Sequence, residues 1–182
     1  MLVLLLILIT VLAPVIAPYN PLEAVMRDAN GAPSAAHLFG TDKLGRDVLS
    51  RILYGASYSL TSVLFLVFLI FVVGTFLGVI AGYFGGIVDT VIMRFADMMI
   101  SFPGVILAIA IAGILGGSLV NAMIAMLCVT WTKYARLSRS MVLKIKKRDF
   151  VDAAIVSGGS SAHILWVHIL PNILPLMVIT AE

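Results

Sequence analysis

Few residues in this chain could make or break a bond. Against 12 Lys and Arg and 9 Asp and Glu there are 3 histidines and a single cysteine. His163 and His168 stand five apart, off a common face of an α-helix, and no Cys/His cluster has metal-ligand spacing. Cys128 lies inside an apolar run and can form no intrachain disulfide. No Ser/His/Asp or His-Glu-x-x-His arrangement stands at the edge of an apolar run, and no Gly-x-x-x-x-Gly-Lys-Ser/Thr phosphate loop occurs. The chain is read as a non-enzyme, with no catalytic, cofactor-binding or metal-ligating residue. Work of another kind is written into "RDFVDAAIVSGGSSAHILWVHILPN", Arg148 to Asn172. "DFVDAAIVSGG" predicts a short helix, with Ala153 and Ala154 presenting a flat surface. Gly158 and Gly159 can end it in the left-handed conformation. "SSAHILWVHIL" restarts a helix, with Ser160 or Ser161 as N-cap, and Pro171 and Pro175 interrupt the entry into the next apolar run. Small residues at such a bend let another protein's surface come close. What the segment offers is a surface for another protein and no reaction.

The elements that must hold this segment are apolar. The chain is 62% hydrophobic and 12% charged, where a soluble domain carries about 25% charged residues. Its mean hydropathy is +1.14. No single core hides that surface, so lipid is the expected solvent. Leu2 to Ala17 is a first apolar run within a predicted span over 1–18, short for a hydrocarbon core of ~30 Å. It lacks a basic n-region and a cleavage site, which favours a span over a signal peptide; a start upstream of Met1 would supply the missing length. Residues 19–58 are polar and mixed. Within them, Asp42 is the expected N-cap of an amphipathic interfacial helix carrying Asp42–Arg46 and Asp47–Arg51 pairs.

Leu60 to Gly82 is uncharged and long enough to cross. Gly74, Gly78 and Gly82 recur every four residues and predict a helix-packing face. Gly82 to Asp97 reads as a connector. Met98 to Thr132 has no Asp, Glu, Lys, Arg or His and is too long for one span. "AGILGGSLVN" in its middle predicts a turn between a tight pair, with Asn121 satisfying that turn and Pro103 tolerated in the opening helical turn. Lys133 to Asp152 carries Lys133, Arg136, Arg139, Lys144, Lys146, Lys147 and Arg148 against two aspartates, so it is expected to face the cytoplasm. Counting back places Gly82–Asp97 inside, Tyr19–Ser57 outside and the N-terminus inside. Ile173 to Glu182 reads as the start of a further span. The expected fold is all-α, a polytopic membrane bundle of about four complete spans plus a truncated fifth, with residues 59–182 as its main transmembrane domain.

Here the residues meet a known pattern. "DAAIVSGGSSAHILWVHILP" resembles the EAA loop of ABC-importer permeases, in which Glu-Ala-Ala, three residues and Gly precede a spacer and a hydrophobic-Leu-Pro ending. Asp152, Ala153, Ala154, Gly158, Leu170 and Pro171 match it, with Gly159 and His168 inside the same loop, about 144–171. The "HILPN" ending is similar to the peptide and nickel branch. "HLFGTDKLGRDVLSRILYGASYSL" and "GYFGGIVDTVIMRFADMMISFP" look like that branch's second subunit type, so the resemblance runs from about His37 to Pro175. The chain departs from the pattern at Asp152, where the family usually has Glu, and in its length, since such permeases usually have six spans.

The resemblance implies a transmembrane permease subunit of an ATP-driven importer for peptides, nickel or a related small solute. Its implied place is a bacterial or archaeal cytoplasmic (inner) membrane. Implied partners are a homologous second permease, cytoplasmic ABC ATPases gripping the loop, an extracytoplasmic solute-binding protein and membrane lipid, with no nucleic acid. ATP would be bound by the partner, leaving this chain without a cofactor. Three other classes compete: an ion-coupled secondary transporter, a membrane connector that only fixes topology, and a membrane-embedded enzyme. The uncharged runs count against the first, which needs ionisable relays within the membrane. The three motifs together count against the second. The missing catalytic arrangements count against the third.

Overall fold

The computed structural model describes residues 7–8, 12–13 and 15–179. The predicted span over 1–18 therefore lies largely outside the described residues, as do the last three positions of the stub. The chain divides into two compact units, Met1–Phe65 and Leu66–Glu182. Among the described residues all regular structure is helical, apart from one isolated bridge between Thr41 and Asp47.

In the first unit, the polar segment folds around its own hydrogen bonds. A 3-10 turn spans Met26–Asp28. Gly45 has φ +71°, and a Cβ there would lie 1.8 Å from the Val25 carbonyl oxygen, so no other residue fits that crossing. The helix begins five residues later than Asp42 predicts. Its N-cap is Asp47, whose Oδ2 accepts from the Ser50 N–H and from Ser50 Oγ, both at 2.8 Å. The His37 ring lies 3.0 Å from the other carboxylate oxygen of Asp47. Burial alone would raise the Asp47 pKa, but the Ser50 and His37 hydrogen bonds outweigh it and hold the carboxyl below its ordinary range.

Asp42 serves a tight turn instead, accepting from the Leu44 and Arg46 N–H groups at 2.9 and 3.0 Å. The expected Asp42–Arg46 pair forms at 2.8 Å. The expected Asp47–Arg51 pair does not, because Asp47 is spent on the cap and Arg51 turns to Asp42. The Arg46 hydrogen bond is the largest cause of the lowered Asp42 pKa.

Helix α1 runs Val48–Phe84 without a break, 37 residues or about 55 Å. The expected separate interfacial helix is its first turns. Polarity changes along this stretch, but nothing in it stops a helix. At the end of α1, Gly85 and Gly86 take φ +66° and +53° and turn the chain into α2, Gly86–Ile100. The predicted connector is thus mostly helix. Pro103 then disfavours helical geometry in the residue before it, and α3, Gly104–Leu115, leaves α2 at 92°. Met98 to Ile100 accordingly close α2 and do not open α3. Asn121 closes the next turn as expected: its side-chain amide donates to the Leu115 and Gly116 carbonyls at 2.7 and 3.0 Å. Ser118 caps α4, Leu119–Ile145.

Among the described residues, α1 and the final helix α6, Ser161–Ile179, are long and apolar enough to cross a membrane; α2 and α3 together make a third if the bent pair counts as one span. Helix α3 alone is 12 residues, about 18 Å.

Candidate coupling segment

The glycine register of α1 lies against α4. A Cβ at Gly74 would meet the Trp131 carbonyl oxygen at 2.6 Å, one at Gly78 the Ala135 carbonyl oxygen at 2.1 Å, and one at Gly82 the Val142 side chain at 2.9 Å. Backbone meets backbone here only because side-chain atoms are missing. Ser138, fully buried, bridges the seam by donating to the Thr75 carbonyl at 3.3 Å.

Two ion pairs fasten α2 to the same helix. Arg139 clasps Asp89 with two guanidinium nitrogens, one at 2.5 Å, and Arg136 pairs with Asp97. Lys146, just past α4, reaches the Tyr83 carbonyl in the last turn of α1 at 2.6 Å, where a cation suits the helix dipole. None of these pairs is legible in the sequence. Their partners stand 39 to 63 residues apart, and only periodicity within one helix carries a sequence signal.

From this platform the chain leaves through extended Arg148 into α5, Asp149–Val156. Asp149 and Asp152 sit in its first turn, where negative charge is favoured. The helix closes in a complete Schellman motif. The Gly158 N–H donates to the Ile155 carbonyl and the Gly159 N–H to the Ala154 carbonyl, both at 3.0 Å, with Gly158 at φ +78°. The two glycines serve different ends. Gly158 supplies the left-handed conformation with open space around it. Gly159 has no positive φ but lies so close that a Cβ would stand 2.8 Å from the Ala154 carbonyl oxygen. Of the two candidate serines, Ser160 caps the next helix by accepting from the His163 N–H at 3.3 Å.

Helix α6 does not break at its prolines. It carries a π-helical stretch, Ile164–Ile169, in which the Leu170 N–H donates five residues back to Leu165. That wide turn lies directly before Pro171, whose ring would otherwise crowd the carbonyl four residues earlier. Asn172 donates its side-chain amide to the His168 carbonyl at 2.6 Å. Pro175 also lies inside the helix. The widened turn brings His163 and His168 together, ring centres 5.7 Å apart, although an ordinary helix would separate them. Phe150 of α5 stands 6.3 Å from His168.

One face of the pair α5–α6 is pinned down. Val151, Ile164 and Ile169 are buried in a cluster with Val79, Val142 and Ile173, and Ala154 and Leu170 pack at its edge. The opposite face is bare: Asp152, Ala153 and Gly158 are exposed, Ile155 is 49% exposed and Val156 89%. Pro171 is exposed as well. The geometry is a short helix packed from beneath through Val151, with a small-residue bend and an exposed apolar tip. Ile155 and Val156 do not stand out in the sequence, where apolar residues are too common to mark a contact.

Comparison with known proteins defines the class. Residues 74–181 match the family model described as "Binding-protein-dependent transport system inner membrane component", and the chain belongs to that family. Among individual relatives, it is similar to the dipeptide transport system permease protein DppC of Haemophilus influenzae, 42% identical across 94% of this chain and 60% of that protein. It is 38% identical to the probable D,D-dipeptide transport system permease protein DdpC of Escherichia coli K12, across 99% of this chain and 60% of the relative. It is also 41% identical to a glutathione transport system permease protein, GsiD, of another E. coli strain, across 97% and 59%. The chain thus spans about three fifths of the length of these relatives.

Proposed function

We propose that this chain is a permease subunit of an ATP-driven importer for a peptide, nickel or a related small solute, and that α5 and the bend after it dock a cytoplasmic ATPase. One observation carries the docking reading: α5 is clamped from beneath through Val151 and Ile164 while Ile155, Val156 and the Gly158 bend stay exposed. In this reading Asp152, Ala153, Ala154, Gly158 and Gly159 form the contact, and His168, Leu170 and Pro171 set its root in α6. A second permease completes the path, an extracytoplasmic binding protein delivers cargo, and ATP stays with the partner. The spans in this reading are four, namely the first apolar run, α1, the bent pair α2 and α3 counted as one, and α4 beyond the Ser118 turn, with α6 as a fifth in a bacterial or archaeal inner membrane. The relatives named for dipeptide and glutathione transport favour a peptide-like cargo.

The test is Gly158→Leu in a full-length chain co-expressed with its ATPase. The added side chain enters open space, so the platform beneath stays packed while the tip is altered. Membrane level should hold, ATPase recovery should fall and transport should be lost, with Ser140→Leu as control. Normal transport with the ATPase still bound would overturn the docking reading.

A further inference from the structure

The histidine pair of α6 has a geometry that an α-helix cannot give. At 3.6 residues per turn, positions five apart diverge by about 140°. A π-turn closes its hydrogen bond over five residues and brings them onto one face. His163 and His168 bracket such a turn, their rings 5.7 Å apart and inclined at 78°. We propose that they form a two-imidazole chelate for a divalent transition-metal ion.

Each imidazole nitrogen binds such an ion at about 2.0–2.1 Å, which sets two ligating ring centres about 5.2 Å apart at a tetrahedral angle and no more than about 6.4 Å apart in a line. At 5.7 Å the rings stand about 0.5 Å wider than the tetrahedral spacing, a gap that a turn of the exposed His163 side chain closes. His163 is exposed and His168 half-buried, so an ion has access and one ring is already held, against Phe150. Among the described residues no group of three or more His, Cys, Asp or Glu is placed to hold a metal. The pair therefore supplies two donors, with water in the remaining positions. Imidazole donors suit Cu2+, Zn2+ and Ni2+ and not Mg2+ or Ca2+, and Cu2+ should bind tightest. The chelate exists only in the π register, so a bound ion holds Ile164–Ile169 in that form. Any effect on coupling rests on the docking of an ATPase at α5; the binding itself does not.

The purified full chain in detergent is titrated with Zn2+ alone, and its Cu2+ complex is examined by electron paramagnetic resonance. One site per chain is expected, with two nitrogen ligands in the Cu2+ spectrum. His163→Ala should weaken Zn2+ binding at least tenfold and reduce the Cu2+ signature to one nitrogen. Because His163 is exposed, its loss leaves the packing intact. His168→Gln should do the same, and His37→Ala should leave this site unchanged. Binding indifferent to both α6 histidines, or a one-nitrogen spectrum in the parent chain, would overturn the proposal. An ATPase that stays bound to Gly158→Leu would count against the docking reading alone and leave this metal site untouched.

Discussion

At the scale of single residues, the bend shows how two adjacent glycines answer different demands. A side chain at Gly158 meets nothing but must adopt a left-handed backbone, at about 1–2 kcal/mol. Gly158→Asn should be milder than Gly158→Ala, because Asn tolerates that region. Gly159→Ala should be harmful for another reason, since its Cβ would be driven against the Ala154 carbonyl. Hydrogen exchange at the last amides of α5 ranks the three. Asp47 offers a second residue-scale test. Its pKa lies below the ordinary value of 3.8, so it stabilises the folded first unit above that value. The contribution is lost as pH falls through the lower, folded value. Asp47→Ala should cost about 0.5–2 kcal/mol at neutral pH and flatten the acid limb. Exchange at the Ser50 amide from pH 7 down to 3 measures both.

At the scale of elements, the α1–α4 seam is where a substitution should cost most. Gly78→Leu would push a side chain into the Ala135 carbonyl and Ser138, and backbone cannot yield as a flexible side chain can. Overpacking of this kind costs about 1–3 kcal/mol or more, read as loss of a monodisperse peak and a lowered unfolding temperature in detergent. Phe76→Leu is the fitting control, because Phe76 is 59% exposed. Val79 is not, since it is buried beside Val142. Likewise Asp89→Ala should cost more than Asp97→Ala: Asp89 accepts both arms of Arg139 and is 18% exposed, whereas the Asp97–Arg136 pair lies in the open.

How legible these elements are in the sequence depends on how local their causes are. The four-residue glycine register, the Gly158 stop and the Asn121 turn are written in neighbouring residues and can be read. The continuity of α1 through Ser57–Leu60 escapes such a reading because a change in polarity resembles a boundary. The His163–His168 pairing escapes it because an α-helical period excludes a π-turn. The Asp89–Arg139 clasp joins residues 50 apart, which no local pattern reports.

At the scale of the whole molecule, charge placement makes the sharpest prediction. Seven basic residues lie within Lys133–Arg148, and cytoplasmic segments carry such an excess. In a Cys128→Ala background, Ser140→Cys should resist an impermeant thiol reagent in intact cells and react after permeabilisation, while Ser34→Cys should react from outside. Both positions are exposed, so protection reports the side of the membrane. Labelling of Ser140→Cys in intact cells would invert the orientation on which the docking reading depends.

The glycine seam also imposes an order on biosynthesis. Gly78 precedes Ser138 by sixty residues, and at about 5–20 residues per second a nascent α1 waits roughly 3–12 s for the helix that fills its notch. Lipid tails must occupy the notch meanwhile, and they leave no apolar driving force for α4 to exploit. Close backbone contact, with the clasps at Asp89 and Asp97, must supply the gain on docking. A bulky residue at position 78 would then leave insertion of α1 untouched and stall the chain later, with α4 synthesised but undocked and open to the membrane's quality-control proteases.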